Sequence, residues 1–172
     1  MKNFVFFLFL AMAVGGCGSS DAGGSAGSGG AGGMGGTAGD GGTGGQVFSA
    51  DPPLVIGTEA RPASVDIPTD YDPAVTYPML MVLHGHGADG RTEVGYFQLF
   101  TIVDEKQFVL IYPDAKVGED GLRGWDSTGT DDVDYLSALI EEAEQTYNID
   151  PKRVYLMGHS SGAFMSLTMA CT

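Results

Sequence analysis

The sequence predicts an α/β domain: a mostly parallel sheet with helices on both faces. Two continuous apolar stretches, 78–83 and 108–113, read as strands covered on both sides. After each of them apolar residues recur at spacings of three and four, first Val94, Phe97, Phe100 and Val103, then Val133, Leu136, Leu139, Ile140 and Ala143. That is the spacing of helices laid against a core. Strand, loop and helix in repeated succession indicate parallel strands joined by right-handed crossovers.

The first 45 residues stand apart from that domain. Lys2 and the apolar run 4–14 form a signal-peptide pattern, too short to span a bilayer as a helix. The run ends in Val14-Gly15-Gly16-Cys17, which resembles a bacterial lipobox with valine where leucine is usual. Residues 1–16 are therefore expected to be a lipoprotein-type signal peptide, and Cys17 the lipidated residue that anchors the chain to a membrane at the outer cell surface of a bacterium. From 18 to 45 the chain is nearly all Gly, Ser, Ala and Thr. Such a segment buries too little apolar surface to offset its ordering entropy, and is expected to be a disordered linker. As a flexible coil it would reach about 30 Å. The matches to Gly-x-Ser-x-Gly at 23–27 and to Gly-x-Gly-x-x-Gly at 27–32 follow no strand and open no helix, so they are accidents of composition.

The formal charge is −14, from 8 basic and 22 acidic residues. No basic stripe is present to neutralise phosphates, which argues against nucleic acid as a partner. Polyanionic substrates are disfavoured for the same reason, while neutral polymers and small esters are not.

Ordered sequence is expected from Gln46. Ala63-Ser64-Val65-Asp66-Ile67 alternates apolar and polar, as in a half-buried, antiparallel early strand. The strand at 78–83 delivers a glycine-rich loop, His84-Gly85-His86-Gly87-Ala88-Asp89-Gly90, to its C-terminal end, the edge where sites form in open α/β sheets. The second apolar strand ends at Asp114, read as a turn or capping residue, and leads to a polar loop with the single tryptophan, Trp125, read as a loop anchor. Asp131 or Asp132 is expected to cap the next helix, which Asn148-Ile149-Asp150-Pro151 terminates.

Then comes the stretch that carries chemistry. A short strand, 153–157, runs into Gly158-His159-Ser160-Ser161-Gly162 and a helix of small and apolar residues. This strand-turn-helix context is what a nucleophile elbow requires: the turn holds the serine in a strained conformation and the glycines remove side chains that would collide.

Several motifs in order carry a family resemblance: Leu83-His84-Gly85, Tyr112-Pro113-Asp114, Trp125, Asp131-Asp132-Val133, and Tyr147 to Tyr155 leading into the elbow. The chain from about Pro62 to Cys171 is similar to the polyhydroxybutyrate depolymerase / feruloyl esterase group of the α/β-hydrolase fold. The resemblance implies an extracellular esterase with a Ser-Asp-His triad, an ester substrate, and no metal or cofactor. It places the nucleophile at Ser160 and the oxyanion donors at the backbone N–H groups of Ser161 and His86. Many members have cysteine at the position of His86 and asparagine at that of Ser161, changes that leave both amides in place.

In this fold the acid and the histidine follow the nucleophile in chain order. Residues 161–172 contain no Asp, Glu or His. Residues 46–172 are therefore expected to be the N-terminal part of a catalytic domain, truncated after the elbow helix and inactive alone, with a partner for Cys171 also lying elsewhere. Two alternatives stay open: a non-catalytic surface-binding lipoprotein with a degenerate hydrolase domain, and a prolyl-oligopeptidase-like peptidase, which shares the elbow.

Overall fold

Two apolar clusters, one on each face of a single mixed sheet, hold the domain together. The computed structural model describes residues 46–171 and the backbone of Met12–Ala13. The expected signal peptide, the lipidation at Cys17 and the linker therefore lie outside the described residues, apart from that dipeptide. The strands are β1 (Met12–Ala13), β2 (Val55–Thr58), β3 (Arg61–Asp66), β4 (Tyr77–Leu83), β5 (Val109–Pro113) and β6 (Ile149–Gly158). The helices are α1 (Gly90–Tyr96), α2 (Val103–Lys106), α3 (Asp131–Thr146) and α4 (Ser161–Ala170), with a 3-10 turn at Leu99–Thr101.

Across the sheet the order is β1-β6-β4-β5-β3-β2. The three strands that lead to the site, β5, β4 and β6, are parallel. The flanking pairs β3/β5, β2/β3 and β1/β6 are antiparallel. The alternation at 63–67 thus marks an antiparallel strand as expected, with Ala63 and Val65 inward. All of β5 is buried, and β4 keeps only Pro78 and Leu80 partly exposed, which explains the unbroken apolar runs. One cluster joins Met79, Met81, Leu83 and Ile111 to Leu136, Leu139 and Ala143 of α3 and Met165 of α4. On the other face, Val82, Leu110 and Tyr112 meet Val94, Leu99 and Val103 from α1, the 3-10 turn and α2.

The stretch after the glycine-rich loop departs from expectation. In place of the single helix that the spacing of Val94 to Val103 predicts, Gln98 adopts a left-handed conformation (φ 57°) and separates α1 from the 3-10 turn and α2. The apolar residue that has to reach the sheet is Leu99, five positions after Val94. On a continuous helix it would sit about 140° around the axis from Val94. The break turns Leu99 inward and leaves Phe100 at 36% exposure, so the spacing of Val94, Phe97, Phe100 and Val103 overstated the helix.

The cap of α3 is a second difference. Neither Asp131 nor Asp132 is the N-cap; Thr130 is, with no side-chain hydrogen bond. Asp132 is drawn inward by stronger partners, accepting from Arg61 (2.7 Å) and from the Asp126 N–H (2.8 Å). Asp131, exposed, pairs with Lys116. Strand β2 was not anticipated, because only one of its four residues, Ile56, turns inward and the pattern is too short to register.

The Arg61–Asp132 pair joins the hairpin to the start of α3. Its carboxylate is 4% exposed, and the guanidinium also lies 3.6 Å from the centroid of the Tyr135 ring. Removing one partner of a buried pair strands the other charge. Asp132→Ala is expected to destabilise the domain by about 3 kcal/mol or more, measured by urea unfolding. A loss within experimental error of zero would show that the pair contributes nothing.

Candidate active site

The C-terminal ends of β4, β5 and β6 meet at one edge, and the turn between β6 and α4 is their focus. Gly158 ends β6, and Ser160 follows at φ 52°, ψ −118°, a region that non-glycine residues occupy at a cost of about 1–3 kcal/mol. Two contacts force this conformation. A Cβ added to Gly158 would lie 2.2 Å from the Gly162 carbonyl oxygen, and one added to Gly162 would lie 2.1 Å from that of Leu83. Helix α4 therefore starts in backbone contact with the end of β4. The His159 N–H donates to Leu83 O (3.2 Å), and the N–H groups of Ala163 and Phe164 both donate to Ser160 O. The result is an exposed serine hydroxyl standing at the start of a ten-residue helix.

Ser161 is the first residue of α4, so its N–H has no intrahelical acceptor. The loop after β4 lies directly opposite: a Cβ on Gly85 would be 3.5 Å from that of Ser160. This loop is pinned on several sides. His84 is fully buried, and its Nε2 accepts from the Ala115 N–H (3.0 Å), which assigns the proton to Nδ1 and directs it to Gly85 O (2.7 Å). The Trp125 indole donates to His84 O (2.9 Å). The Gly85 N–H donates to Glu93 Oε2 (3.2 Å), and the Gly87 N–H to Arg123 O (2.8 Å). Among the described residues, the His86 N–H meets no acceptor. Both backbone amides named as oxyanion donors, those of His86 and Ser161, are thus left for another partner.

The remaining candidate residues fall into supporting positions. Trp125 is buried against the His84 ring at 5.2 Å, the anchor that its place in the loop suggested. Asp114 accepts from the Gly90 N–H (2.8 Å) at the start of α1 and pairs with Arg123 (3.2 Å). The His86 ring, half-exposed, points its Nε2 at Asp120 Oδ2 (3.0 Å). The Leu122 N–H, and beyond it the His86 imidazole, hold the Asp120 carboxyl below the usual carboxylate range. His159 lies 3.6 Å from Glu93 Oε1 and along the Tyr96 ring. All three histidines are thereby occupied, and among the described residues the Ser160 hydroxyl has no hydrogen-bond partner. Cys171 is exposed and free among the described residues. The residue that sequence reasoning missed is Glu93: nothing in its polar neighbours marks a carboxylate that is 3% exposed.

Chemically, the edge offers a strained, exposed hydroxyl beside two backbone donors, the elements needed to attack a carbonyl and to hold the resulting oxyanion. A groove of about 750 Å³, lined by residues that include Ser64, Arg91, Phe100 and Tyr112, lies beside α1. Its walls do not include Ser160, so it is not the reaction site.

No family model matches the chain. Curated relatives do. A bifunctional acetylxylan esterase/xylanase of Neocallimastix patriciarum is 37% identical over 89 residues, 52% of this chain and 13% of that protein. A probable feruloyl esterase C of Aspergillus niger is 27% identical over 116 residues, 65% of this chain and 42% of its own length. Poly(3-hydroxyalkanoate) depolymerase C of Paucimonas lemoignei is 25% identical over 109 residues, 55% of this chain and 24% of the depolymerase. The chain therefore spans less than half the length of each of these relatives.

The elbow contact is testable by itself. Gly162→Ala would push a methyl group into Leu83 O, and is expected to destabilise the domain by about 1–3 kcal/mol or more, read from the urea midpoint. Wild-type stability in that variant would mean that the backbones are not in contact.

Proposed function

We propose, from the kinship of this chain with the feruloyl esterase / polyhydroxybutyrate depolymerase-like α/β-hydrolases, that it carries the nucleophile-bearing part of a secreted serine esterase. The observation that supports this most directly is Ser160: a non-glycine residue at φ 52°, exposed on a turn that two glycines make possible, with the loop after β4 against it, whose His86 N–H meets no acceptor among the described residues. Strain of this kind persists only where the surroundings enforce it, and it clusters at reacting groups.

In the proposed reaction, Ser160 Oγ attacks the ester carbonyl as a base takes its proton. The tetrahedral oxyanion forms toward the N–H groups of Ser161 and His86, each such donor being worth roughly 10²- to 10³-fold in rate. Collapse expels the alcohol, which takes back the proton, and leaves an acyl group on Ser160; water then releases the acid by the same steps. The histidine and carboxylate that drive these proton transfers are assigned to sequence outside these 172 residues, since His84, His86 and His159 are all otherwise engaged. The 172-residue chain alone is accordingly inactive in this reading. The substrate is assigned as a carboxylic ester of a neutral polymer, either a polyhydroxyalkanoate-type polyester or an acylated polysaccharide, in keeping with the charge of −14.

The full-length protein is expected to react with a fluorophosphonate probe and to hydrolyse a short-chain nitrophenyl ester. Ser160→Ala should abolish labelling and lower kcat by about 10⁴-fold or more. Labelling that survives the substitution would remove Ser160 from the mechanism. Turnover by the isolated 172-residue chain would show that the base lies within it.

The N-terminal segment is assigned as a signal peptide, a lipidated Cys17 and a flexible stalk that together hold the enzyme outside the cell. Cys17→Ala is expected to move the protein from the membrane fraction to the soluble one. An unchanged partition would leave no role for the anchor.

A further inference from the structure

The geometry points to Glu93 as a positioning residue that holds the loop after β4 against the nucleophile elbow, through Gly85 on one carboxylate oxygen and His159 on the other. The inference rests on the esterase reading above and adds to it a residue outside the triad and the oxyanion donors.

Glu93 stands in the first turn of α1, and its side chain is 4% exposed. A carboxylate so placed is unfavourable unless its oxygens are compensated. Oε2 accepts the Gly85 N–H at 3.2 Å. Oε1 is buried without a hydrogen-bond partner among the described residues, and lies 3.6 Å from His159 Nδ1. Gly85 directly precedes His86, and His159 directly precedes Ser160. One side chain thus touches the residue before a proposed oxyanion donor and the residue before the proposed nucleophile. The two backbones are already close, since a Cβ on Gly85 would sit 3.1 Å from His159 Nδ1. A small outward shift of the loop would move the His86 amide from the reacting carbonyl, and misplacements near 1 Å are worth roughly 100-fold in rate. The Tyr96 ring, stacked on the imidazole at 6.2 Å, restrains His159 on its other side.

The test is steady-state ester hydrolysis by the full-length protein carrying Glu93→Gln, His159→Ala, or both, with Gly85 amide exchange read in parallel. Glu93→Gln is expected to lower kcat roughly 10- to 100-fold with KM little changed, and to speed exchange of the Gly85 amide. The double variant should be no worse than the more damaging single one, because the two side chains act through each other. Glu93→Asp, which keeps the charge on a shorter arm, is expected to recover part of the lost kcat; a space-filling role would give no such recovery. Wild-type kcat in Glu93→Gln, or additive losses in the double variant, would overturn the proposal. Should Glu93→Gln not fold, His159→Ala decides, and unchanged kcat there overturns it equally. If the wild-type protein is not labelled at Ser160, the esterase reading fails instead; an unaltered Gly85 exchange rate in Glu93→Gln then rejects the positioning role separately.

Discussion

The contact between Gly162 and the Leu83 carbonyl sets the geometry of the whole site edge. With a Cβ at position 162 only 2.1 Å from that oxygen, α4 could not begin where it does. Its start fixes the turn, and the turn places Ser160 in its strained conformation and turns the Ser161 N–H away from any helical acceptor. The same closeness brings the end of β4 beside the elbow, so that the loop from His84 to Asp89 cannot avoid facing the serine. A helix packed at ordinary side-chain distance would leave room for the serine to relax and for the loop to withdraw.

Around that contact the protein uses backbone amides and short polar side chains to fix loops that lack regular structure. Asp126 accepts from the Thr128 hydroxyl and from the Thr128 and Gly129 N–H groups, which holds its carboxyl below the usual range. Asp89 caps α1 through the Thr92 N–H, and Asp114 takes the Gly90 N–H at the same helix start. Much of the acidic excess near the site is therefore engaged in local structure. His84 belongs with these residues: its imidazole links the loop after β4 to the loop after β5, and Trp125 closes the link from a third segment. A histidine that looks catalytic by type is here part of the packing that fixes the loop after β4.

Several of the motifs that carry the resemblance are brought together by the fold. Three of the quoted motifs map to one edge: Leu83-His84-Gly85 ends β4, Tyr112-Pro113-Asp114 ends β5, and Gly158-His159-Ser160 ends β6, while the stretch from Tyr147 to Tyr155 begins β6 at the far end of the sheet. Trp125 and Asp132 come from the loop and helix that brace that edge. Motifs scattered over about eighty residues are one surface because parallel strands deliver their C-terminal ends to the same side.

The fold class, the two apolar central strands, the antiparallel early strand and the strand-turn-helix at 158–162 were legible in the residues alone, because each is encoded by local periodicity or by glycines at fixed spacing. The break at Gln98, the partner of Asp132 and the burial of Glu93 were not. Those are decided by which distant surface a residue meets: Leu99 has to reach Leu110 and Tyr112, Asp132 has to meet Arg61 from the other end of the domain, and Glu93 is enclosed only once the loop after β4 folds over it. Local pattern reports the face a residue prefers. Tertiary packing decides what that face finds there, and at this site it is a buried carboxylate set between Gly85 and His159, the residue before Ser160.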